Sequence, residues 1–180
     1  DPEIQALVVG SAGDNAGLAY LSGALNFDAA AVGPGIAGEL AARIVAFDAF
    51  VQNMDRTAKN PNLLWWRGGL WLIDHGAALY WQHDWDGGLS GFDSPFSRIS
   101  AHVLLPRASP VVGQRGWLLA GLADEVIAAA VATVPDEWWE PLPGWTPAMM
   151  AAAFAGRLQA RRDVASRYLE EAERARAGGV

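Results

Sequence analysis

Cysteine is absent from the 180-residue chain, which excludes disulfides, thiolate zinc sites and cysteine nucleophiles together. Lysine occurs once, at Lys59, so a mechanism that needs two lysines cannot be run by this chain alone. Basic residues are outnumbered thirteen to twenty, and the net charge of -7 gives no electrostatic support for unguided binding to nucleic acid or to an anionic membrane. No apolar stretch approaches the ~20 residues needed to cross a bilayer. Asp1-Pro2-Glu3 is acidic where a signal peptide is basic. Internal repeats and low-complexity tracts are also missing. A soluble, cytoplasmic protein is the expectation. What is present is 52% hydrophobic residues against 18% charged, which excludes disorder for the body and suits a single domain.

Along the chain, a short helical run at Glu3 to Val9 gives way to glycine punctuation at Gly10, Gly13, Gly17 and Gly23, the mark of loops. Ile36, Leu40, Ile44, Val45, Phe47 and Val51 recur near helical spacing, which predicts a helix over 36–54 with one buried face. Residues 55–61 break that pattern. Residues 62–76 then read as strand, tight turn at Arg67-Gly68-Gly69, and strand, which is a β-hairpin. Residues 83–115 are irregular, Gly116 to Val134 reads as one buried helix, and Pro135 to Trp145 as a packed loop with three Trp and three Pro. Thr146-Pro147 is an N-cap followed by proline at the first helical position, so a C-terminal helix is expected over 146–177, ended by Gly178-Gly179. Its charged stretch Arg161 to Arg176 is expected to be a solvated face. The fold class expected is α+β, mostly helical, with one hairpin.

Chemistry concentrates around that hairpin. Phosphoryl transfer from ATP needs a carboxylate to receive the acceptor's hydroxyl proton, and oxygen ligands that hold magnesium against the phosphates. Asp55 can be the base, and Asn60 and Asp74 the metal ligands. In the protein-kinase loop H-R-D-x-x-x-x-N, the Asn stands five places after the Asp, as Asn60 does after Asp55. A kinase chain then forms a short hairpin and reaches D-F-G. Here the triplet is Asp74-His75-Gly76, nineteen residues beyond Asp55. The three side chains are expected to converge on one cleft.

The segment Asn53-Met54-Asp55-Arg56-Thr57-Ala58-Lys59-Asn60-Pro61-Asn62-Leu63-Leu64, with Leu70-Trp71-Leu72-Ile73-Asp74-His75-Gly76-Ala77-Ala78-Leu79-Tyr80, resembles the HipA-like kinases. More distantly it is similar to phosphatidylinositol 3- and 4-kinases, with their N-x-D-R loop and I-D-x-G metal motif. The resemblance is sharp over 47–80. It implies a kinase-like fold, ATP with magnesium, Asp55 as catalytic base, and Asn60 and Asp74 as metal ligands. Protein kinases carry His-Arg before the catalytic Asp and a Lys two places after it; here Asn53-Met54 and Thr57 stand there. Lys59, four places after Asp55, is the candidate for the catalytic phosphate contact. His75 replaces the Phe of D-F-G. A complete kinase also has an N-terminal lobe whose glycine-rich hairpin and strand lysine hold the phosphates. The residues before the loop contain no Lys, so the chain is expected to be a C-terminal lobe whose ATP-covering N-terminal lobe is missing, leaving exposed apolar residues from the first fifty positions and the hairpin around an open cleft. ATP and an unidentified phosphoacceptor are the expected partners.

Two rival functions carry weight: a non-catalytic lone lobe serving as scaffold or interaction module, and a metal-dependent phosphohydrolase built on Asp74, His75, His83, Asp84 and Asp86. Gly33-Pro34-Gly35-Ile36-Ala37-Gly38 matches G-x-G-x-x-G, but neither a strong preceding strand nor a second β-α unit supports a dinucleotide site. His102 reads as a satisfied structural histidine. Trp65, Trp66 and Trp71 are expected to pack the lobe rather than stack on a ligand.

Overall fold

A computed structural model describes residues 2–28 and 35–179. The first two residues of the G-x-G-x-x-G stretch, Gly33 and Pro34, lie outside the described residues. The architecture is α+β, about half helical, with one small antiparallel sheet. Among the described residues, no helix is long and apolar enough to cross a membrane.

Helix α1, Pro2–Gly10, leaves Ile4, Val8 and Val9 exposed. The centre of the fold is α2, Gly38–Phe50, whose Ala41, Ala42, Val45, Ala46 and Ala49 are all fully buried. Four alanines favour the helix and let neighbours approach its backbone closely. Glu39 in the first turn complements the helix dipole. The helix stops short of the expected residue 54 because Gln52 takes φ 54°, which turns the chain out of the helix and into the loop.

The sheet has the order β1-β2-β3, from Leu25–Asn26, Leu63–Trp66 and Gly69–Leu72. Leu63 pairs with Leu72 and Trp65 with Leu70, so these four share the face that packs on the core. The turn between β2 and β3 places Arg67 at φ 48° and Gly68 at φ 78°, the mirror-image geometry that matches strand twist. Trp66 and Trp71 fall on the other face. Of the three tryptophans expected to pack the lobe, only Trp65 does. Trp66 and Trp71 meet edge to face, with ring centroids 5.3 Å apart, and Trp71 is 39% exposed.

Residues 80–114 form four short 3₁₀ turns, including Tyr80–Asp84 and Ser97–Ala101. The run expected as one helix over 116–134 is two, α3 (Arg115–Gly121) and α4 (Asp124–Val131), because Leu122 and Ala123 leave helical geometry. The C-terminal run over 146–177 is likewise two helices, α5 (Pro147–Asp163) and α6 (Ala165–Ala177), separated at Val164. Thr146 does cap α5, its hydroxyl accepting from the Met149 N–H at 3.2 Å. The break lets α5 lie on α4 while α6 turns Ala165, Tyr168, Leu169 and Ala172 onto α2.

Arg161 corrects the expected solvated face. It is 2% exposed, and its guanidinium donates to the carbonyls of Ala49, Phe50, Phe92 and Ser94 while lying over the Tyr168 ring. Ala49 and Phe50 end α2, where carbonyls lack intrahelical partners and the dipole favours a cation. Burial lowers the Arg161 pKa to about 10, which leaves it charged at neutral pH.

Candidate active site

The loop after α2 is organised by a buried arginine. Arg56 and Asp48 side chains are both 0% exposed, with Arg56 Nε 2.6 Å from Asp48 Oδ2. Arg56 also donates to the Asn62 carbonyl at 2.5 Å and the Ile73 carbonyl at 3.5 Å. One guanidinium therefore ties the end of α2 to the start of β2 and the end of β3. Asp48 accepts in addition from His102 Nε2 at 2.9 Å and Asn53 Nδ2 at 3.3 Å. His102 Nδ1 accepts the Leu104 N–H at 3.1 Å, so both ring nitrogens are satisfied, as expected of a structural histidine. Burial alone would push the Asp48 carboxyl up, but the His102 hydrogen bond and the Arg56 charge hold it below its ordinary value.

Asp55, half buried, stands on this foundation. Its N–H donates to Asn53 Oδ1 at 3.2 Å, and its Oδ2 accepts from Asn60 Nδ2 at 2.6 Å and Asn62 Nδ2 at 3.4 Å. Asn60 is presented by a turn in which its carbonyl accepts from the Thr57 N–H at 3.0 Å. The Asn62 amide bridges onward to the Asp74 carbonyl at 3.4 Å. Asp74, at φ 50°, directs its carboxylate toward the Gly76 N–H at 3.4 Å. Asp55 and Asn60 are thus in direct contact, and Asp74 joins them through its main chain and Asn62 rather than through its carboxylate. Lys59 is exposed on the same loop and makes no hydrogen bond or ion pair with the described residues.

His75 is more than a substitute for Phe. Its Nε2 lies 3.1 Å from Arg56 Nη2, and because a guanidinium only donates, that nitrogen must accept. Burial and the Arg56 charge lower the His75 pKa, which favours this neutral acceptor form. From the sequence Asp48 draws no attention, Arg56 and Asn62 stand in the family motif without a role of their own, and His75 reads only as the Phe replacement or a phosphohydrolase ligand. The available signal was Asp48 itself, one carboxylate inside the apolar run Val45 to Val51.

An open cleft of about 690 Å³ adjoins the loop, lined by Asn26, Asp28, Asn60, Asn62, Leu64 and Ile73. Leu18, Tyr20 and Leu25 from the first fifty residues and Trp71 of the hairpin are exposed apolar side chains. The Asn60 amide oxygen and the Asp74 carboxylate are hard oxygen donors of the kind magnesium takes. Histidine and carboxylate do not assemble the rival phosphohydrolase cluster. His75 is pinned to Arg56, His83 packs on Tyr80, and Asp86 accepts from Gly88. Among the described residues, no group of three or more His, Asp or Glu is placed to hold a metal.

Neither the curated proteins nor the solved structures yield a match to this chain. A family model does, described as HipA-like kinase and matching residues 19–160. The match takes in α2, the whole Asp55 loop, the hairpin and most of α5, which agrees with the resemblance carried by residues 47–80, and the chain belongs to the HipA-like kinase family.

Proposed function

We propose that the chain is the kinase-like C-terminal lobe of a cytoplasmic, ATP-dependent phosphotransferase, with Asp55 as base and Asn60 and Asp74 as magnesium ligands. The contact of 2.6 Å between Asn60 Nδ2 and Asp55 Oδ2 carries this reading, because it joins the base to a ligand in the kinase spacing. The amides of Asn60 and Asn62 both engage Asp55 Oδ2, which leaves Oδ1 to face an acceptor. In the reaction, the acceptor oxygen bonds to the γ-phosphorus, the bond to the bridging oxygen of ADP breaks, and the hydroxyl proton passes to Asp55.

Magnesium, when bound, would neutralise phosphate charge, and the Asn60 side-chain oxygen and Asp74 carboxylate are the groups that would hold it. Lys59, exposed on the same loop, supplies a cation for the transferred group. The nucleotide takes the cleft beside Asn60, Asn62 and Ile73. Residues 1–58 hold no lysine for the α- and β-phosphates, so that contact and the phosphate cover belong to a lobe outside these 180 residues.

The test is ADP release and phosphoryl transfer by the full-length protein with ATP and magnesium. Asp55→Asn keeps the shape and removes the proton acceptor, so a loss of roughly a hundredfold or more is expected, with unchanged thermal stability. ATP turnover by that variant at the wild-type rate would refute the role given to Asp55. Absence of turnover in the full-length wild type would favour the scaffold reading.

A further inference from the structure

A second cavity, of about 450 Å³, lies beyond the Asp74 motif. Its walls come from three separate pieces of chain: the 3₁₀ turn Tyr80–Asp84 with Trp85, the loop 138–142, and Met150 and Phe154 of α5. The aromatic walls are held in place from behind. Trp85 donates its indole N–H to the Gly88 carbonyl at 2.9 Å, and Trp138 donates to the Asp14 carbonyl at 2.9 Å. Phe154 meets Trp85 at 5.4 Å and Trp139 at 5.5 Å, both edge to face. The polar lining includes two exposed carboxylates, Asp84 and Glu140, and contains no Lys or Arg. Arg157, one turn beyond Phe154, is turned away onto the Trp81 ring at 4.0 Å and the Gly88 carbonyl.

A pocket of this size, with three tryptophans and two carboxylates, has the composition that recognises an organic cation. Ring faces attract an ammonium, the carboxylates supply the counter-charge, and the apolar walls take its carbon substituents. Its position adds a role. Gln82 lines this cavity and also an apolar groove formed by Phe47, Val51, His75, Gly76 and Leu79. The two spaces therefore share one lining side chain, and the groove includes His75 and Gly76 of the Asp74-His75-Gly76 motif. The cavity shares no lining residue with the cleft beside Asn60.

Building on the phosphotransferase reading, we propose that this pocket binds the amine or quaternary ammonium end of the phosphoacceptor, a small cationic alcohol. The volume suits a small molecule rather than a folded partner.

Binding is tested on this chain by calorimetry with choline as probe and 3,3-dimethylbutan-1-ol as its neutral isostere. Choline is expected to bind at least ~10-fold more tightly, because only it gains the ring and carboxylate attraction. The Asp84→Asn/Glu140→Gln double variant, which alters only exposed side chains, should lose most of that preference, and Trp139→Ala should weaken choline further. Asp55→Asn should leave choline binding intact, which separates this site from the catalytic one. In the full-length protein, the double variant should raise KM for cationic alcohols with kcat within about twofold, as expected when binding away from the reacting atoms is lost. Equal affinity for the neutral isostere, or a lysine-bearing peptide that binds more tightly than choline, overturns the proposal. Choline binding without any ATP turnover in the full-length protein overturns the phosphotransferase reading and with it the acceptor role, while the cation preference stands as measured.

Discussion

Replacing Asp48 by Asn tests whether the buried pair beneath the catalytic loop holds it together. Asn fills the same space but removes the one carboxylate paired with Arg56 among the described residues, and the guanidinium is then left with the Asn62 and Ile73 carbonyls and His75. The Asn amide also sets a donor against one of three existing donors, from Arg56, His102 and Asn53. Both charged side chains are 0% exposed, so solvent cannot compensate. Breaking a buried pair from one side costs ~3–5 kcal/mol. A domain of this size loses ~2–4 °C of Tm per kcal/mol, so a fall of roughly 6–20 °C is expected. Urea denaturation followed by tryptophan fluorescence, with calorimetry beside it, measures this. The Asp48→Leu/Arg56→Met pair removes the unpaired charge but strands His102, Asn53 and the Asn62 carbonyl, so it should recover only part of the loss. An acid titration adds the sign. The Asp48 pKa is lowered, so its stabilisation is present above the ordinary value of 3.8 and lost as pH falls through the lower folded value. Asp48→Asn should lack that acid-dependent loss. An Asp48→Asn protein within about 1 kcal/mol of wild type would refute the reasoning, because it would mean that Arg56 needs no counter-charge.

Three further outcomes are expected. Tyr168→Phe should be neutral or stabilising by up to about 1 kcal/mol, since the Tyr168 hydroxyl is the one buried side-chain polar atom without a partner among the described residues; a clear loss on denaturation would show that it has one. Gly87→Ala should cost about 1–3 kcal/mol, because Gly87 has φ 90° and an added Cβ would stand 2.6 Å from the Trp145 ring; an unchanged unfolding midpoint would disprove this. His75 should titrate below its ordinary 6.5, so its contribution to stability is present above that value and lost as pH falls through the lowered folded one; an NMR titration midpoint above 6.5 would contradict the Arg56 contact.

The sequence made the loop and hairpin legible because both are written in local terms. Asp55 and Asn60 are five residues apart in one turn, and the β2–β3 turn follows directly from Arg67-Gly68-Gly69. Arg161 was misread for the opposite reason. A helix pattern sees charges of both signs and infers a wet face, whereas the carbonyls that bury Arg161 belong to Ala49 and Phe50, more than a hundred residues away. The aromatic pocket is invisible in the sequence for the same cause, since Trp85 and Trp139, 54 residues apart, both pack against Phe154. The break at Val164 carries neither Gly nor Pro, so composition gives no warning there, whereas Gly121 and Asp124-Glu125 flank the break at Leu122 as stop and start signals. The break at Val164 follows from how the flanking helices dock.

The Arg161 clasp also sets an order of events during folding. The hairpin closes through a two-residue turn, and hairpins of this kind form within ~1–10 μs. The clasp instead joins positions 111 and 112 residues apart, and the entropy of closing so long a loop must be met before its hydrogen bonds form. Arg161 therefore belongs to the late docking of α5 and α6 onto the finished end of α2. Weakening it should chiefly hasten unfolding, whereas weakening the hairpin turn should slow folding. The final turn of α2 thus waits for its cap until α5, more than a hundred residues further on, has docked.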